Sequence, residues 1–125
     1  MKSKLKAAKT KLWKVFSRYI RLRDGGRCIS CGVVRDIREM DAGHYIPKTA
    51  GLSIYFEEKN VNCQCTGCNR FRRGNLAQYA LALRLKYGKN ILEELDAIRK
   101  QTVKFSVADY QEMIEKYAQK IGELV

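Results

Sequence analysis

Two short cysteine pairs, Cys28-x-x-Cys31 and Cys65-x-x-Cys68, constrain this chain more than any other feature of its sequence. Each is a knuckle able to place two thiolates on one tetrahedral ion, and together they complete a four-cysteine zinc shell. A closed shell of that kind leaves no position for water, so its expected job is structural. Cys63 offers an alternative ligand, but the two-residue gap between Cys65 and Cys68 matches the first knuckle, which leaves Cys63 as a small hydrophobe. A redox reading of the pairs is weaker, because neither sits in a strand-turn-helix of βαβ character. The opening MKSKLKAAKTKLWK has no apolar stretch of roughly 7 to 15 residues, so no secretory leader is expected there. No run approaches the roughly 20 apolar residues of a membrane span. The expectation is a cytoplasmic protein without a membrane partner, whose reduced cysteines bind metal.

The flanks of the cysteine region read as helices. In KLWKVFSRYIRLRD the residues Leu12, Trp13, Phe16, Tyr19, Ile20 and Leu22 recur mostly at three- and four-residue steps, which predicts a helix with one core-facing stripe, ended by Gly25 and Gly26. Between the knuckles, MDAGHYIP and LSIYF read as extended pieces of a small irregular hairpin with no helix. Beyond Asn69, LAQYALALRLKY is helical and stops at Gly88. Asn90 and Glu93 read as a capping pair opening ILEELDAIRKQ, and Ser106 with Asp109 as an acidic capping box. In the last helix Tyr110, Ile114, Tyr117, Ile121 and Leu124 step by four and three. That barely two-heptad seam favours packing against the chain's own domain, with a homodimer contact as the alternative.

At 125 residues the chain reads as one domain, residues 1–125, carrying a formal charge of +12. The excess points to a polyanionic partner. Residues 1 to 27 hold ten basic side chains against Asp24 alone, whereas residues 76 to 125 hold eight basic and seven acidic ones. Within that basic helical arm, Lys11, Lys14, Arg18, Arg21 and Arg23 are candidates for sequence-independent contact with a DNA backbone. Arg70, Arg72 and Arg73 follow the second knuckle and either grip phosphates with their guanidinium forks or form a solvated basic face.

The only histidine is His44. With zinc satisfied by sulfur, it is free of that shell, and Asp41, Asn60 and Asn69 accompany it. Asp41 and Asn69 offer the oxygen ligands that Mg²⁺ or Mn²⁺ prefers, and a neutral imidazole suits proton abstraction from water. A histidine in a hairpin also serves simply as a hydrogen-bonded structural residue.

The segment from Asn60 through Cys65 and Cys68 to Asn69 resembles the N-L-x-x-x-C-x-x-C-H signature of the HNH, or ββα-metal, nucleases, with Asn69 in the place of the last histidine, as in phage endonuclease VII. More closely, LWKVFSRYIRLRDGGRCISCG, DAGHYIP and CNRFRRGN resemble the phage lambda NinG (Rap) recombination family, a likeness that runs through residues 11 to 90. The resemblance implies an α+β, mainly helical fold: a zinc-stabilised ββα-metal (HNH, treble-clef-like) core over residues 28–75, flanked by the arm of residues 1–27 and by C-terminal helices over residues 76–125. It implies a metal-dependent endonuclease acting on branched DNA such as Holliday junctions and D-loops, in the cytoplasm of an infected bacterial host, with a homodimer and a phage recombinase as further partners. His44 would be the base, Asn69 a ligand of the catalytic Mg²⁺ or Mn²⁺, and Asn60 a brace for the loop that orients His44. The superfamily commonly has Asp directly before this histidine, whereas here Gly43 stands there. Asp41 shares the side of residue 43 on a strand, one pleat away, and is either a second ligand or a solvated strand residue. The competing class is a non-catalytic zinc-binding DNA-binding module.

Overall fold

The computed structural model describes residues 2–125, with side chains from residue 3 onward. The apolar stripe of the N-terminal segment winds into helix α1, Lys2–Arg23, and buries Leu12, Phe16, Tyr19 and Ile20. A Schellman pair ends it: Gly26 N–H donates to Arg21 O and Gly25 N–H to Leu22 O, both at 3.1 Å, with both glycines at positive φ. Gly26 has a second constraint, since the Arg35 carbonyl lies where a Cβ would stand.

Against α1 lies the last helix, Val107–Leu124. Strand β1 is Met40–His44, the single helical turn α2 is Leu52–Tyr55, and strand β2 is Val61–Cys65. Helices α3, α4 and α5 are Leu76–Tyr87, Ile91–Arg99 and Val107–Leu124. The seam of α5 is used within the chain: Tyr110, Tyr117 and Ile121 join Leu12, Phe16, Tyr19 and Ile20 of α1 in one buried cluster. Phe16 meets Tyr117 edge to face at 4.9 Å, the arrangement that aromatic quadrupoles favour.

The strands pair antiparallel, with Met40 opposite Cys65, Ala42 opposite Cys63 and His44 opposite Val61 on one face. On the other face Asp41 lies opposite Gln64 and Gly43 opposite Asn62. Ala42 and Val61 extend the α1–α5 core, while Met40 and Cys63 pack beside Cys28 and Cys68. Ile54, Tyr79, Leu83, Ile91 and Leu95 form a second core between α2, α3 and α4. The fold is α+β and mostly helical, as its sequence implied.

Two expectations fail locally. LSIYF, read as extended because Ile and Tyr favour strands, instead contains α2, so the stretch between the knuckles does hold a helical turn. The turn seats Ile54, fully buried, in the second core. Asn90 precedes α4 but makes no side-chain cap, because its backbone (φ −97°, ψ 7°) lacks the extended conformation that aims a capping side chain. The Ser106–Asp109 box does form, with Asp109 N–H donating to Ser106 Oγ at 3.1 Å and Ser106 N–H to Asp109 Oδ2 at 2.8 Å.

Candidate functional site

The sulfurs of Cys28, Cys31, Cys65 and Cys68 all lie within 4.8 Å of one another, and Cys31 Sγ to Cys65 Sγ is 3.7 Å. Zinc–sulfur bonds of about 2.3 Å set about 3.8 Å as the edge of a regular tetrahedron, so this shell fits zinc. Backbone amides already point at the sulfurs: Cys31 N–H at Cys28 Sγ (3.5 Å) and Cys68 N–H at Cys65 Sγ (3.4 Å). Burial opposes ionisation of Cys28, but N–H groups of Cys65, Cys31 and Ser30 outweigh it and bring the thiol down to about 7. Cys63 lies outside the shell, and burial pushes its thiol up to about 12, as suits a packed hydrophobe.

On the far side of the knuckles a cleft of about 590 Å³ opens between α1, β1 and the segment after Cys68, with Trp13, Asp41, His44, Asn69, Arg70 and Arg73 on its walls. His44 closes β1. Trp13 stacks on its ring at 5.2 Å and 19°, Tyr55 meets it edge-on at 5.3 Å, and Tyr55 O lies 2.9 Å from Nε2. A carbonyl can only accept, so Nε2 carries the proton and Nδ1 is the ring's free acceptor. Burial, seconded by the positive charge of Lys48, holds the imidazole below its ordinary value against the pull of the Tyr55 carbonyl. The ring is therefore neutral at pH 7.

Asn60 is fully buried and does not face the cleft. Its Oδ1 accepts from Ile46 N–H at 2.8 Å, and its Nδ2 donates to Ile46 O at 3.0 Å and Ile54 O at 3.3 Å. Those bonds tie the residues after His44 to the turn that presents Tyr55 O. Asn60 thus joins the segment after His44 to α2 from inside the fold.

Asn69 sits on a π-helical turn, Gly67–Phe71, directly after the last zinc ligand. Its Nδ2 donates to Asp41 Oδ2 at 3.0 Å, and Arg70 donates to Asp41 Oδ1 at 3.2 Å. Asp41 is therefore engaged by two partners and is 18% exposed. It fixes the Asn69 amide so that Oδ1 faces Gly43, a hard oxygen that suits Mg²⁺ or Mn²⁺. Tyr79, which its sequence marks only as a helical apolar position, donates to Gly43 O at 2.7 Å and holds β1 from behind. Trp13 was legible as core stripe rather than as cleft wall, and Gln64 carried no signal at all.

The basic residues divide. Lys11, Lys14 and Arg18 stand exposed on α1, and Arg70, Arg72 and Arg73 are exposed after the second knuckle. Arg21 and Arg23 turn inward instead. Arg21 donates to Ile37 O at 2.8 Å, and Arg23 binds Asp24, Glu58 O, Val61 O and Asn62 Oδ1. Among the described residues no helix is long and apolar enough to cross a membrane.

A family model, described as bacteriophage lambda NinG protein, matches residues 1–125. Protein ninG of Escherichia phage 933W is 33% identical over 107 residues, covering 85% of this chain and 52% of that protein. The corresponding figures for protein ninG of Escherichia phage lambda are 31% over 107 residues, with the same coverage, and for that of Salmonella phage P22 they are 32% over 107 residues. The chain thus spans about half the length of the curated relatives it matches. No solved structure matches it.

Proposed function

The chain belongs to the bacteriophage lambda NinG family, and from that premise we propose that it is a metal-dependent endonuclease of the HNH type, cutting branched DNA such as Holliday junctions and D-loops during phage recombination. The single observation that carries the proposal is the placement of His44: its Nε2 bonds Tyr55 O, and its ring lines the same cleft as Asn69 and three cations, Lys48, Arg70 and Arg73.

In this reading the Cys28, Cys31, Cys65 and Cys68 shell holds a structural zinc. Arg70 and Arg73 receive the DNA backbone at the cleft, and Lys11, Lys14 and Arg18 extend that contact along α1 without reading bases. His44 Nδ1 takes the proton of the attacking water, while Trp13 and Tyr55 keep the ring from turning. Asn69 Oδ1 would hold a Mg²⁺ or Mn²⁺ ion, which supplies positive charge for the developing phosphorane and the leaving 3′ oxygen. The products carry a 5′ phosphate and a 3′ hydroxyl. Asp41 acts through Asn69 and Arg70 rather than directly.

The test is His44→Ala, assayed with Mg²⁺ or Mn²⁺ on a four-way junction and on linear duplex. Loss of a positioned base costs about 10²- to 10⁴-fold in cleavage, with DNA binding and zinc content retained. Undiminished cleavage by the variant overturns the role of His44. A wild-type protein that binds junctions and zinc yet cuts nothing would instead be a zinc-stabilised DNA-binding module.

A further inference from the structure

Gln64 lies on β2 directly across from Asp41 and is completely buried. Its Nε2 donates to Gly74 O at 2.8 Å and to Ser30 Oγ at 2.9 Å. Because the Gly74 carbonyl can only accept, the amide cannot be turned over, and its oxygen faces the opposite way. That oxygen, Oε1, is buried and has no hydrogen-bond partner among the described residues. A buried carbonyl left without a partner is uncommon enough in folded proteins to need a reason.

Gly43 shows where Oε1 is aimed. A Cβ built on Gly43 would overlap Oε1, and would lie 2.7 Å from Gln64 Cδ and 2.9 Å from Asn69 Oδ1. Two amide oxygens therefore converge on one point beside Gly43. Each is turned there by a partner that can only accept on its nitrogen: Gly74 O for Gln64 and the Asp41 carboxylate for Asn69. Gly43, Asn69 and Gly74 also form part of the cleft wall, so this point lies at that wall, with Oε1 buried directly behind it. The backbone of Gly43 is not in the left-handed region, so conformation does not demand glycine there. The space does.

We infer that Gln64 Oε1 is a ligand of the divalent cation, delivering from β2 the oxygen that a carboxylate at position 43 would otherwise bring, and that Gly43 is glycine to admit it. The inference rests on the nuclease reading, which places a cation at Asn69. Its consequence is a site whose direct protein ligands are neutral amides, with Asp41 held one hydrogen bond back. Neutral oxygens bind divalent cations weakly, because charge count sets much of the affinity. The ion would then be held well only when DNA phosphate oxygens complete its shell.

Mn²⁺ titration of the zinc-loaded protein, followed by electron paramagnetic resonance, tests this without reference to cleavage. Gln64→Ala should weaken Mn²⁺ binding tenfold or more while keeping its zinc and its near-ultraviolet circular dichroism. The double variant Gly43→Asp/Gln64→Ala, which moves the oxygen to β1 and empties the space it needs, should bind Mn²⁺ at least as well as wild type. If Asn69→Ala weakens binding and Gln64→Ala does not, the role of Gln64 is overturned and the cation site stands. If Asn69→Ala is also without effect, no cation sits at Asn69, and the metal-dependent reading falls with it. A wild-type crystal soaked in Mn²⁺ answers the same question should the variants fail to fold. An anomalous peak about 2.1 to 2.2 Å from Oε1 supports the inference. A peak bound to Asn69 but out of reach of Oε1 overturns it, and no peak at Asn69 removes the site altogether.

Discussion

His44 is held on three sides before any substrate arrives, by the Trp13 ring, the Tyr55 ring and the Tyr55 carbonyl. In the proposed nuclease, a base fixed in this way has a pH signature. Burial first and Lys48 second keep the imidazole below its ordinary value of about 6.5. On the acid side, the cleavage rate at constant Mg²⁺ should stay level down through pH 7 and fall only below about 6.5, as the ring gains its proton. An inflection above that value in a pH–rate profile contradicts the assignment, and Lys48→Gln should move it upward. The same shift has a stability consequence. Below about 6.5 the unfolded chain takes up a proton that the folded chain resists, so this residue's contribution is present above that pH and is lost as pH falls toward the lowered folded value. A second prediction at this scale concerns Arg23, 18% exposed beside an Asp24 that is 10% exposed. Arg23→Gln should cost roughly 1 to 3 kcal/mol in urea unfolding, because it leaves the carbonyls of Glu58 and Val61 without their donor and Asp24 with only Lys86 and the Cys63 N–H as partners.

At the scale of elements, periodicity carries furthest where one face of a long helix meets one core. The stripes of α1 and α5 could be read from their sequence because each buries a single row against the other. The end of α3 at Gly88 was equally legible, since that residue stands at φ 103°. Ser106→Ala should lower stability by about 1 kcal/mol in urea unfolding, the usual cost of losing an N-cap acceptor. What could not be read is what depends on distant partners. Leu52–Tyr55 has strand-like residues, yet it coils because the second core takes Ile54 and because Asn60 binds Ile54 O. Asn60 and Asn62 look alike in NVNCQC, but Asn60 braces the turn beneath His44, whereas Asn62 accepts from Arg23 and from Lys86 of α3 at 2.7 Å. Gln64 differs again, and only the missing side chain of Gly43 on the opposite strand makes its orientation meaningful.

For the whole molecule, the charge on α1 makes a quantitative claim about DNA. Each phosphate contact steepens the logarithmic salt dependence of binding by about 0.9, so replacing Lys11, Lys14 and Arg18 together with Gln should reduce the slope by about 2.7. Filter binding over a salt series measures it, and an unchanged slope would show that this face of α1 stays clear of DNA. Arg23→Gln, by contrast, should leave the slope alone. Zinc removal acts on a different link. A chelator that empties the four-cysteine shell should abolish Mn²⁺ binding in the cleft even though the two sites share no ligand, as paired zinc assays and Mn²⁺ titrations would register. The reason is adjacency: Cys65 follows Gln64 and Cys68 precedes Asn69, so the backbone that zinc pins is the backbone that aims both amides. On the proposed reading maturation then has a direction, with the sulfur shell closing first and the oxygen site taking shape second. Under the proposed nuclease reading, a chain starved of zinc keeps its cationic helix sequence while losing the geometry proposed for cleavage, and so competes for DNA with its own finished copies.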